Sequence, residues 1–325
     1  YQQKADYKMT LVLDDAKQRL DGVETITYTN NSPDPLAYLW LQLDQNIYNL
    51  DSDSKIIEVE KMENFKSVSD LRKRDFYYDG GFKIERITNM SGQPMKYFIN
   101  KTMMRIDLAK PLLPGQNISF QIKWWYNIND RMQVGGRSGY EYFETDQNYL
   151  YTIAQFFPRM CVYNDVTGWQ NKQFLGRGEF TLPFGDYEVS ITVPADHIVA
   201  ATGECQNYAS ILTAEQRKRY EQAKKSDSPV IIVTQAEAEA AEKNKAQKTK
   251  TWVYKATNVR DFAFASSRKF IWDAQKQTVG NKDILCMSYY PKEGNPLWER
   301  YSTKLVAHTI KTYSKYTVNY PYPVA

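Results

Sequence analysis

The sequence predicts a mainly β protein built on a large twisted sheet or sandwich, and three observations carry that expectation. Aromatic residues make up 14% of the 325 residues, 25 of them tyrosine, and such side chains fit the pleated, half-buried surface of a sheet. From Tyr7 to Glu204 the apolar pattern is mostly period two, which places alternate side chains on opposite faces of a strand. Turn residues interrupt that pattern often enough to separate about ten short strands, the spacing of a sandwich or large sheet.

Met9, Leu11 and Leu13 alternate with polar residues, and Asp21-Gly22 before Val23 is a hairpin-type signal. Residues 36–43 are apolar nearly throughout, as in a strand covered on both faces. Further strands are expected over 82–87, 103–108, 118–125, 178–182 and 187–193, with turns at Pro114-Gly115 and Phe184-Gly185-Asp186. The character changes at Gln206. Thr213-Ala214-Glu215-Gln216 and Thr234-Gln235-Ala236-Glu237 are capping-box signals, each opening a charged helix without an apolar stripe. Between them lies the short strand 230–233. Apolar character returns at Thr251, with strands expected over 251–254, 261–265 and 284–287. Asn295 then caps a helix whose first position is Pro296. Leu297, Tyr301, Leu305, His308 and Thr312 fall on one face of that helix, and a wide apolar face needs a partner. The expected organisation is a β domain over 1–206, a charged helical insertion over 207–250, and the start of a further domain over 251–325.

Apolar residues at 42% and charged residues at 25% are ordinary globular values. The net charge of +4 comes from interspersed residues, so no basic block marks a nucleic-acid or anionic-membrane surface. No apolar run approaches the ~20 residues that span a bilayer as a helix. Cys161, Cys205 and Cys286 are too scattered for a disulfide framework or zinc knuckle and read as buried thiols. The two histidines, His197 and His308, belong to no H-E-x-x-H pattern and read as structural. No G-x-S-x-G anchors a Ser-His-Asp triad. Residues 134–139, Val-Gly-Gly-Arg-Ser-Gly, fit neither a P-loop nor a dinucleotide fingerprint and read as a mobile loop. Glu141, Glu144 and Asp146 are carboxylates of the kind a glycosidase pairs, though an acidic strand edge looks the same. Trp124-Trp125-Tyr126 with Tyr140 and Tyr142 are candidates for a sugar-stacking platform, but consecutive strand residues point to opposite faces and at least one of each pair belongs in the core. The densest stretch is 151–165, where Gln155 and Arg159 sit among apolar residues; buried polar groups there need partners, and they either brace a loop or face a ligand.

Several colinear segments carry a family resemblance. Tyr28-Thr29-Asn30-Asn31-Ser32-Pro33-Asp34, Gln155-Phe156-Phe157-Pro158-Arg159, residues 187–194 followed by Ala201-Thr202-Gly203, and Asn258-Val259-Arg260-Asp261-Phe262-Ala263-Phe264 resemble zinc aminopeptidases related to aminopeptidase N. These are gluzincin metallopeptidases, and the likeness lies nearest to bacterial members of the Bacteroidetes type. Tyr320-Pro321-Tyr322-Pro323 looks like the segment that precedes the family's substrate-binding G-x-M-E-N-type loop. The resemblance implies a saddle-like β N-terminal domain followed by the truncated start of an α/β thermolysin-like catalytic domain. It also implies that the zinc motif and the transition-state tyrosine lie beyond residue 325. Zinc is then a cofactor of the parent, with no metal, no catalytic residue and no activity expected in this chain alone. Gln155 matches the residue that holds the substrate's free α-amino group, with a spacing to Arg159 one residue shorter than in other branches, and Arg159 is the loop brace. The implied partners are a peptide substrate, the chain's own catalytic domain, and a second copy through an uncovered terminal helix; the implied location is periplasmic or secreted. Two other readings stay open at this point: a non-catalytic glycan- or protein-binding β module, and a degenerate family member acting as scaffold.

Overall fold

The computed structural model describes residues 1–57, 78–176 and 181–325, which form mainly β structure in several sheets. The chain divides into two compact units. The first comprises Tyr1–Glu141, Thr152–Ile191 and Ala256–Ala263; the second comprises Tyr142–Tyr151, Thr192–Lys255 and Phe264–Ala325.

In the first unit, β1 (Lys4–Asp14) and β2 (Arg19–Thr29) form a hairpin in strict register. They are followed by β3 (Leu36–Gln42), β4 (Lys83–Asn89), β5 (Tyr97–Asn100), β6 (Met103–Leu112) and β7 (Asn117–Asn127). Within the first unit the main sheet runs Gly185–Pro194, β1, β2, β7, β4, and a second sheet runs Arg159–Met160, β3, β6, β5. Period-two alternation buries Ala5, Tyr7, Met9, Leu11 and Leu13 of β1 on one face. That face meets the 155–159 segment: Tyr7 packs edge-on to Phe157 at 5.2 Å between ring centroids, and Trp124 lies 6.3 Å from Phe156. This apolar contact is what fixes Gln155 and Arg159 on either side of the two phenylalanines.

Two expectations are corrected here. The hairpin turn is at residues 15–18, where the Asp14 carboxylate accepts the N–H groups of Ala16 and Lys17, and not at Asp21-Gly22. Gly22 instead lies within β2, where a Cβ would stand 2.3 Å from the Trp124 ring; the glycine leaves room for an indole, not for a turn. β3 is covered on one face only, since Ala37 is exposed and Tyr38 and Trp40 are half-buried. Of the strand expected over 178–182, residues 178–180 lie outside the described residues, and 181–182 are in no strand.

The second unit contains the pair Ile198–Ala201 with Phe264–Ser267, and a three-stranded sheet of Val230–Val233, Ile271–Val279 and Lys282–Tyr290. Both expected capping boxes form, on helices Ala214–Ala223 and Gln235–Asn244. The helix Leu297–Tyr316 lies on the three-stranded sheet through Ala307, Val306 and Ile310, which meet Val279, Ile284 and Cys286. Its packed face is therefore opposite to Leu297, Tyr301 and Leu305, which are 61%, 43% and 60% exposed. Pro296 is its N-cap, while Asn295 accepts the Glu299 N–H at 3.3 Å. The last residues add to the edge of this sheet: Leu285 N–H donates to Pro323 O and Met287 N–H to Ala325 O. Cys161 and Cys286 are buried and Cys205 is half-buried, all as free thiols.

Candidate functional site

The first unit encloses a cavity of about 300 Å³. Its wall brings together residues far apart in sequence, among them Asp44, Gln45, Gln155, Arg159, Arg260 and Asp261. Gln155 and Arg159, the two residues singled out by the sequence, thus line one space.

Arg159 is 5% exposed. Its guanidinium makes a two-pronged pair with Asp44, Nε to Oδ2 at 3.0 Å and Nη2 to Oδ1 at 2.7 Å, and reaches Asp261 Oδ2 with Nη1 at 2.6 Å. A planar fork matched to a carboxylate is the geometry for which arginine is suited and lysine is not. Burial by itself lowers the Arg159 affinity for its proton, but the charges of Asp44 and Asp261 reverse this and hold it above its ordinary range. Asp44 also accepts from Gln42 Nε2 at 2.5 Å. Desolvation raises the Asp261 carboxyl, and Arg159 pulls it partly back. The adjacent Cys161 thiol is pushed up by burial and then by the Asp44 charge, so it is no thiolate nucleophile.

Gln155 stands at φ 52, a left-handed conformation that few non-glycine residues adopt. Its carbonyl accepts from Gln45 Nε2 at 3.0 Å, and Phe156 and Phe157, both fully buried, anchor the chain just beyond it. Backbone held off its common conformations by packing is a feature of ligand sites. The glycine-rich residues 135–139 form another part of the wall. Gly136 (φ 96) approaches Tyr48 so closely that a Cβ would lie 2.1 Å from its hydroxyl, and Ser138 Oγ accepts the Ala154 N–H at 3.1 Å. This loop is built into the cavity and not left free, and its role was not legible because the partners are a distant tyrosine and a backbone amide. Asp44, Gln45 and Asp261 were also missed as site residues. Asp44 and Gln45 offered only polar character next to an apolar strand, and Asp261 lay in the 258–264 segment without being singled out.

Other candidates fall elsewhere. Trp124 is 1% exposed and offers no stacking face, while Arg19 covers one face of the half-buried Trp125 ring at 4.1 Å. Glu141 pairs with Arg131 at 3.2 Å. In the second unit, His197 is buried with Nδ1 2.9 Å from Ser266 Oγ, and His308 is exposed on its helix. Among the described residues, Asp146, Glu242 and Glu293 come close enough to share an ion. Their space holds the fully buried ammonium of Lys269, 2.9 Å from both Glu242 Oε1 and Glu293 Oε1 and paired also with Asp146. Neither the histidines nor this lysine-filled trio provides the nitrogen, sulfur or carboxylate ligand set of a zinc site.

No protein-family model and no curated protein matches the sequence. Solved structures do. An M1 zinc metallopeptidase from Deinococcus radiodurans superposes with a TM-score of 0.53 at 13% identity, covering 99% of this chain and 54% of that one. A mutant of that enzyme bound to a Tyr-Ser-Ala substrate gives a TM-score of 0.53 at 12% identity, with 99% and 55% covered. The fold is shared with M1 zinc metallopeptidases. The chain spans about half the length of these M1 structures.

Proposed function

We propose that this chain is the amino-terminal part of a zinc aminopeptidase-like M1 metallopeptidase, and that Gln155 holds the free α-amino group of the peptide substrate. The observation that carries this reading is the cavity: it joins Gln155 and Arg159, picked out by the motif, in a unit whose fold M1 enzymes share. The chain's own part is binding and orientation. Gln155 accepts hydrogen bonds from an ammonium through its side-chain oxygen. Gln45 and the buried phenylalanines fix the backbone from which that side chain projects. Arg159, clamped between Asp44 and Asp261, braces the same segment. Anchoring one end of a peptide in this way sets which bond meets the reacting groups, and positioning of this kind accounts for a large share of enzymatic rate. Among the described residues no ligand set fits a zinc ion. The Bacteroidetes affinity and a periplasmic or secreted location rest on the sequence segments, and fractionation of the source cells tests the latter.

The test is the full-length protein encoded with this chain. It should contain about one zinc per molecule and release chromophore from aminoacyl anilides, whereas the 325-residue chain should do neither. A full-length protein that binds zinc but cleaves no N-terminal residue would favour the scaffold reading. Glycan binding lost on Trp125→Ala would favour the binding-module reading.

A further inference from the structure

A groove of about 390 Å³ lies within the second unit, between one side of the helix Leu297–Tyr316, the strand Ile271–Val279 and residues 227–229. We infer that it binds the hydrogen phosphate dianion through Lys304, His308, Lys311 and the side-chain oxygen of Gln275. Lys304 and Lys311 stand two turns apart on one side of the helix, about 10 Å along its axis, and His308 lies between them. Neither lysine makes an ion pair among the described residues. The acid in the groove wall, Asp227, pairs with Lys276 at 3.3 Å. Counting Lys276 with the wall, three lysines stand against one aspartate, a net charge of +2 with His308 neutral. A doubly charged anion matches that charge.

Gln275 adds a second requirement. It is an interior strand residue of the groove wall, 6% exposed, and its Nε2 donates to Asp227 O at 3.3 Å. Its Oε1 is buried and accepts no hydrogen bond among the described residues. Turning the amide over would set Oε1 against the Asp227 carbonyl, so the oxygen and not the nitrogen is the group left for a ligand. A buried acceptor without a donor is destabilising, and only a donor relieves it. The ligand therefore has to bring an O–H or N–H along with its negative charge. Hydrogen phosphate does both: its P–OH donates to Gln275 Oε1, while its charged oxygens accept from the two ammonium groups and a ring N–H of His308. Sulfate has the same charge and nearly the same shape, but it carries no proton to donate.

The experiment is a calorimetric titration of the 325-residue chain with sodium phosphate and, at matched ionic strength, with sodium sulfate, both at about pH 8. Phosphate should bind saturably at one site and about tenfold more tightly than sulfate, the worth of one hydrogen bond with a charged partner. Lys304→Gln combined with Lys311→Gln, both at exposed positions, should abolish phosphate binding and leave the melting temperature unchanged. Gln275→Met should bring phosphate down to the sulfate level without weakening sulfate, whereas a merely structural loss would weaken both. Should that buried substitution unfold the chain, the phosphate–sulfate comparison on the unmodified protein still decides. Glycerol phosphate separates the two sources of a phosphate group: an ester loses its P–OH above a second pKa of about 6, so at about pH 8 it should bind no better than sulfate. Absence of saturable phosphate binding, equal affinity for phosphate and sulfate, or undiminished binding in the double lysine variant overturns the inference. An ester that binds as tightly as inorganic phosphate at about pH 8 also overturns it, because the P–OH would then be dispensable.

Discussion

Replacing Arg159 by Met probes how far the cavity depends on one side chain. The change removes a 5%-exposed guanidinium and strands Asp44, whose side chain is 1% exposed, with Gln42 as its remaining side-chain donor. Breaking a buried ion pair from one side costs about 3–5 kcal/mol, because the surviving charge is left without compensation. Asp261 contributes little to that loss, since at 39% side-chain exposure it is solvated once Arg159 is gone. With a urea slope of about 2 kcal/mol/M, a loss of about 4 kcal/mol moves the unfolding midpoint of the first unit by about 2 M. Two compact units call for a local probe, so the titration is best followed by hydrogen exchange, with β3 amides as reporters and Lys282–Tyr290 amides as an internal reference. Asp44→Asn added to Arg159→Met removes the stranded charge and should return much of the stability, giving a coupling energy of about 2 kcal/mol or more. A midpoint shift near zero in β3, or additive single variants, would refute the idea that the triad is a buried electrostatic brace.

Two pH effects of opposite sign follow from buried groups. Burial, then the charge of Arg268, lowers the His197 pKa from 6.5 to about 3; its neutral form is favoured on folding, so stability is full above pH 6.5 and falls as pH drops towards 3. The slope is about 1.4 kcal/mol per pH unit, or about 2 kcal/mol between pH 6.5 and 5, and His197→Asn should abolish it in pH-dependent melting of the second unit. Glu24 is fully buried; burial pushes its carboxyl well above the usual range, and hydrogen bonding from the Trp124 indole pulls it only part of the way back. Its contribution is full below pH 4.5 and declines as pH rises, so Glu24→Gln should be more stable than wild type at pH 8 and equal to it at pH 4. The exposed face of Leu297, Tyr301 and Leu305 should make the isolated chain self-associate; sedimentation should show a concentration-dependent species that Leu305→Glu with Tyr301→Lys removes, and a monodisperse wild type would count against it.

What the sequence disclosed followed from local rules. Alternation in β1 and β7 announced the main sheet, because each of those strands buries one face only. Thr213 and Thr234 announced their helices, because a capping box is complete within four residues. The strand Ile271–Val279 went unread because Asp273 and Gln275 interrupt its apolar run; both are buried, and Asp273 accepts from Tyr290 on the neighbouring strand at 2.5 Å. Gly22 was misread for a similar reason: the strand partner that requires a glycine there, Trp124, is about a hundred residues away. The same limit applies to the site. Gln155, Arg159 and Asp261 sit in recognisable segments, but Asp44 and Asp261 join Arg159 through contacts of sequence separation 115 and 102. No local pattern encodes such contacts.

The central claim, that the Gln155 cavity holds a free amino terminus in a zinc aminopeptidase-like enzyme, is tested most directly by one comparison. Initial rates are measured for the full-length protein and its Gln155→Ala variant on a peptide with a free N-terminus and on the same peptide N-acetylated. The account predicts cleavage of the free peptide only, with KM raised about tenfold in Gln155→Ala and kcat much less affected. Equal cleavage of both peptides, or a Gln155→Ala variant indistinguishable from wild type, would contradict it.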